Sequence, residues 1–72
     1  MHIGEIILKK LKEKERSVAW LARQVNCNDG NLGRQLKNSA HLHSELLLRI
    51  SKALEIDFFA YYSQEIIKMQ KQ

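Results

Sequence analysis

Little in this chain can stop a helix. It contains no proline and only three glycines in 72 residues, so the two residue types that most strongly oppose helical backbone are nearly absent. Apolar side chains recur at three- and four-residue intervals along most of the length, and no segment alternates with period two over a useful distance. The expected fold class is therefore all-α, with boundaries set by polar capping residues.

Five helices follow from that punctuation. The first runs from Ile3 to about Glu15, with Ile3, Ile7, Leu8 and Leu11 on one face and Lys9, Lys10, Lys12, Glu13 and Lys14 around the rest. Ser17 can accept a hydrogen bond from a free N–H of the next turn, and Val18, Leu21, Ala22 and Val25 then recur as an apolar stripe. This second helix is expected to stop at Asn26, which tolerates left-handed backbone. Asn28 caps a third helix reaching through Leu32 and Leu36 to about Lys37, so two helices are joined by a turn of only a few residues. Residues 38–43 read as a loop. Ser44 is expected to cap a fourth helix carrying Leu46, Leu47, Ile50, Ala53 and Leu54, and Asp57 a fifth, which starts Phe58-Phe59-Ala60-Tyr61-Tyr62 and continues to Met69. The final residues, Gln70-Lys71-Gln72, are expected to fray.

A chain of this length is expected to form one domain, residues 1–72, with a small core and a tendency to lean on a partner subunit. Cys27 is the only cysteine, so no internal disulfide can staple the fold, and a reducing compartment suits it. The net charge of +4 favours an anionic partner such as nucleic acid or an acidic membrane surface, though a solvated lysine-rich helix would carry the same charge. The longest apolar runs, Ile6-Ile7-Leu8 and Leu46-Leu47-Leu48, fall far short of the ~20 residues needed to cross a bilayer. The first residues lack the pattern of a secretory leader, and a cytoplasmic location is expected.

Two short helices separated by a tight turn can present one helix to the major groove of DNA. Ala22 leaves room for the third helix to cross, Leu21 and Val25 face the core, and Leu32 meets them from the other side. With these positions in place, the segment from Ser17 to Asn28 resembles the second helix and turn of the lambda-repressor-like, Cro-type helix-turn-helix family, also called the xenobiotic-response-element family. Glu45 to Phe59 resembles that family's fourth helix and the start of its fifth, and the likeness covers roughly Leu8 to Tyr62. It implies a compact five-helix domain with a helix-turn-helix over about residues 17–37, acting as a sequence-specific transcriptional regulator on double-stranded DNA. Carried over position by position, it implies that Asn28, Asp29, Gly30, Asn31, Gly33, Arg34 and Lys37 line the groove-facing side of the third helix. A phosphate would be held near Ser17 and Val18 at the start of the second. Asn28 and Asn31 could read adenine or cap the helix, Arg34 could read guanine or grip a phosphate, and Lys37 suits a phosphate. The chain departs from the family at Val18, where many members carry a phosphate-binding glutamine.

The alternative, from another class, keeps this fold as a protein–protein interaction module with degenerate DNA readout. Asp29, Gly30 and Gly33 favour it; Arg34, Lys37 and the positive charge favour DNA. The aromatic residues Phe58, Tyr61 and Tyr62 are expected to supply a homodimer interface, since some of that cluster would be exposed in a monomer. Trp20 lies off the apolar stripe of its helix, where it could cover the core edge or meet DNA or a partner. No cofactor or metal is expected: His41-x-His43 with Cys27 fits no standard zinc spacing. No arrangement of nucleophile, base and acid suggests an enzyme.

Overall fold

The computed structural model describes residues 1–70, which form five α-helices and, among those residues, no strand: α1 (Ile3–Glu13), α2 (Val18–Gln24), α3 (Asp29–Asn38), α4 (Ser44–Leu54) and α5 (Phe59–Gln70). Of the three residues expected to fray, Gln70 closes α5, and Lys71 and Gln72 lie outside the described residues. Each helix begins at a side chain that accepts a hydrogen bond from the first turn. Ser17 Oγ accepts from the Trp20 N–H (3.0 Å), Asn28 Oδ1 from Asn31 (3.1 Å) and Asp57 Oδ1 from Phe59 (3.0 Å), as their positions led one to expect. The other two caps are imidazoles. His2 Nδ1 accepts from Glu5 N–H (3.3 Å), and His43 Nδ1 from Leu46 N–H (3.2 Å). Ser44 is thus the first residue of α4 and not its cap; a ring nitrogen with a free lone pair serves as well as a hydroxyl.

Three helices stop in the same way. Glu15, Asn26 and Glu55 take left-handed backbone, with φ of 56°, 58° and 56°. The N–H of the next residue then reaches back into the helix: Arg16 to the Leu11 carbonyl (2.9 Å), Cys27 to Ala22 (2.8 Å) and Ile56 to Ser51 (3.1 Å). Asparagine adopts this conformation at low cost, whereas each glutamate costs about 1 kcal/mol relative to glycine. The stop at Glu15 ends α1 earlier than its sequence pattern suggests, because Lys14 and Glu15 belong to the turn.

The core takes one stripe from each of the first four helices: Ile3, Ile7 and Leu11; Leu21 and Ala22, with Val25 just beyond α2; Leu32 and Leu36; and Leu46, Leu47, Ile50 and Leu54. Helix α3 is packed on both α1 and α2, and α2 also packs on α4. Leu8, expected on the apolar face of α1, is only half-buried, and Gly4 takes the deep position instead. There α1 and α3 approach so closely that a Cβ on Gly4 would lie 2.0 Å from the Leu36 carbonyl oxygen and 2.7 Å from its carbon. Only a residue without a side chain permits that crossing.

Phe58 requires a correction. Its side chain is fully buried in the core, its N–H donates to Ser51 Oγ (3.3 Å), and its ring stacks on Tyr61 at 6.1 Å. It closes the core between α4 and α5 and offers no surface for a dimer. Tyr61 and Tyr62 are half-buried against the same core. The exposed apolar side chains of this region are Phe59, Ile66, Ile67 and Met69.

Gly4→Ala should destabilise the domain by at least about 2 kcal/mol, because the obstructing atoms are backbone and cannot turn aside. Urea unfolding followed by helical circular dichroism measures it; an unchanged midpoint would mean α1 crosses α3 at greater distance.

Candidate nucleic-acid interface

Helix α3 has two sides set by its own sequence. Leu32 and Leu36, one turn apart, are buried against α1 and α2. Gly30, Gly33, Arg34 and Lys37 follow a three- and four-residue spacing that keeps them together on another face. The start of α2 lies beside that face, and the two helices enclose a shallow, open hollow lined by Val18, Ala19, Asp29, Gly30, Gly33, Arg34 and Lys37. Five of the eight residues expected to meet DNA therefore border one depression. Ser17 caps the helix on its α2 side, and Asn28 and Asn31 stand at the exposed start of α3. Ala19 was not singled out from sequence; its small size beside the polar cap is the only signal it gives.

The two glycines differ from Gly4 in kind. A Cβ on Gly33 would meet nothing nearer than Val18 Cγ1 at 3.9 Å, an ordinary contact, and one on Gly30 would meet only Asn28 Oδ1 at 3.2 Å. Packing between α2 and α3 does not demand glycine at position 33. What the two glycines do is leave the floor of the hollow as bare backbone.

The hydrogen-bonding state of this surface follows from the caps. Ser17 Oγ already accepts from Trp20, so its own hydroxyl proton is left to donate outward. Asn28 Oδ1 is held by the Asn31 N–H, and Asn31 Oδ1 accepts from the Arg34 guanidinium. Both asparagines are left with amide donors. Lys37 and the rest of the Arg34 fork add further donors, and neither is in an ion pair among the described residues, where the pairs are Lys10–Glu13, Arg49–Glu45 and Lys68–Glu65. Asp29 is the one carboxylate on this face. It occupies the first turn of α3, where the helix dipole favours negative charge.

Other candidates are less coherent. Trp20 is half-buried at the core edge, beside Ala53 and Leu54 of α4 and Glu55 just after it, with the Arg16 guanidinium 4.7 Å from its ring centroid. Cys27 and His43 share a surface hollow with Glu45 and Arg49, but His43 Nδ1 is occupied by its cap, and no three metal-ligating side chains gather among the described residues. A wider hollow between the end of α2 and α4 holds Gln24, Asn26, Arg49 and Lys52. No helix among the described residues is long and apolar enough to cross a membrane. No family model, curated protein or solved structure matches the chain.

Gly33→Ala should raise stability by about 0.5–1 kcal/mol, since the methyl group has space and removes the conformational cost of glycine inside a helix. A thermal melt that falls on this substitution would show that the site is more crowded than 3.9 Å allows.

Proposed function

We propose that the chain is a sequence-specific DNA-binding transcriptional regulator that lays α3 in the major groove, with α2, residues 25–28 and α3 acting as a helix-turn-helix of the lambda-repressor-like, Cro-type kind. The observation that carries this reading is the donor-rich surface around α3. Ser17, Asn28, Asn31, Arg34 and Lys37 all keep donors to offer, and the oxygens of the first three already accept a bond within the helices. Such a face suits phosphate oxygens and the acceptors of base edges. The net charge of +4 supports the same partner. Ser17, the cap preceding the hollow-lining Val18, and Lys37 hold phosphates, and the bare floor at Gly30 and Gly33 lets backbone come close to the duplex.

Affinity should fall linearly on a log–log plot against salt, with a slope of about −0.9 per phosphate neutralised. Lys37→Ala should weaken binding alike on every sequence and make that slope shallower by about one. Fluorescence anisotropy on random-sequence and selected duplexes tests both points. Binding absent at low salt would remove the regulator reading.

A homodimer is the arrangement that would place two α3 helices on half-sites one turn of DNA apart. Phe59, Tyr62, Ile66 and Met69 share one side of α5, with Ile67 adjacent, and Ile66, Ile67 and Met69 are 55%, 50% and 71% exposed. That surface replaces the buried Phe58 as the candidate contact, and it equally supports the alternative of a protein–protein module on the same fold. Ile66→Glu should convert a dimer to monomers in sedimentation analysis while leaving helicity intact; a wild-type chain that sediments as a monomer at all concentrations would sink the dimer.

A further inference from the structure

Within the DNA-binding reading above, on which this inference rests, we infer that α3 reads guanine through Arg34 and that Asn31 is the residue that positions Arg34. An asparagine that recognises adenine uses both ends of its amide, the oxygen accepting from the N6 amino group and the nitrogen donating to N7. Here each oxygen already accepts one hydrogen bond within the helix. Asn28 Oδ1 holds the Asn31 N–H at 3.1 Å, and releasing it would uncap the helix. Asn31 Oδ1 accepts from the Arg34 guanidinium one turn further along. Bidentate reading of adenine would therefore compete with the cap at Asn28 and with the Arg34 bond at Asn31.

Guanine offers two acceptors side by side, N7 and O6, and a planar guanidinium matches them with two parallel donors. A free arginine on a helix samples many rotamers. Anchoring one of its N–H groups to Asn31 removes part of that freedom before DNA arrives, so less order has to be imposed on binding. Arg34 is exposed and in no ion pair among the described residues. Its neighbours toward α2 on the same face are Gly30 and Gly33, which carry nothing that could shield the fork from a base edge.

The test is base selection from a random duplex library, followed by anisotropy titrations against duplexes changed at single positions. The proteins are the full chain as wild type and as Arg34→Lys, Asn31→Ala and Asn31→Asp, with helicity checked for each. Wild type should prefer guanine over adenine roughly tenfold at one position of the site. Arg34→Lys keeps the charge but not the planar fork, so the ratio of affinities for the guanine and adenine duplexes should fall to about one. Asn31→Ala should take most of that ratio away, and Asn31→Asp, which keeps the acceptor oxygen, should restore it. Adenine selected at that position, or a guanine preference indifferent to Asn31→Ala, would overturn the inference. Random-duplex binding with no guanine preference would likewise defeat it alone, whereas no binding to any duplex at low salt would bring down the DNA-binding reading and this inference with it.

Discussion

The placement of α3 depends on one close backbone crossing. At Gly4 the backbone of α1 lies against the Leu36 carbonyl with no space for a single carbon between them. This contact lets Ile3 and Ile7 on one side, and Leu32 and Leu36 on the other, share one buried core. Close-packed interiors tolerate added volume poorly, so a crossing of this kind fixes the two helices relative to each other. Helix α2 then meets α3 from a second direction through Leu21, Ala22 and Val25. The exposed face of α3 is thereby held by a rigid support on two sides, as a surface that must match a partner requires.

The same few polar atoms both build α3 and determine what its surface can bind. A capping asparagine is usually considered only for the N–H it satisfies. On this helix the cap also engages the Asn28 oxygen, and the pairing of Asn31 with Arg34 engages a second. Local folding therefore biases the exposed chemistry toward donors, with Asp29 as the single counterweight at the end of the helix where its charge is best tolerated.

The helices and most of the core were legible in the sequence because apolar spacing and capping residues speak to local backbone. Ser17, Asn28 and Asn26 act as their chemistry predicts, and the stripe of Leu46, Leu47, Ile50 and Leu54 is buried as its period requires. What escaped were features without a local signature. Gly4 looks like a weak helical residue until the partner helix is present, and a histidine cap resembles any polar loop residue. The cluster of aromatics at the start of α5 showed that something must be buried, but not which ring: the backbone entering from the Glu55 stop turns Phe58 inward and leaves Phe59 outside. On the exposed side of α3, the residue types were readable and their hydrogen-bond commitments were not, since those depend on side-chain placement one turn away.

The left-handed stops at Glu15 and Glu55 bear on how this domain could diverge. Both lie outside the core, and both are places where glycine would relieve a strain of about 1 kcal/mol. The fold therefore stands below the stability its own backbone permits, as natural domains commonly do. A lineage carrying either glycine could absorb a helix-weakening exchange on the exposed side of α3 without any change to the core. In such a domain the exposed chemistry of α3 is free to drift faster than the architecture that presents it.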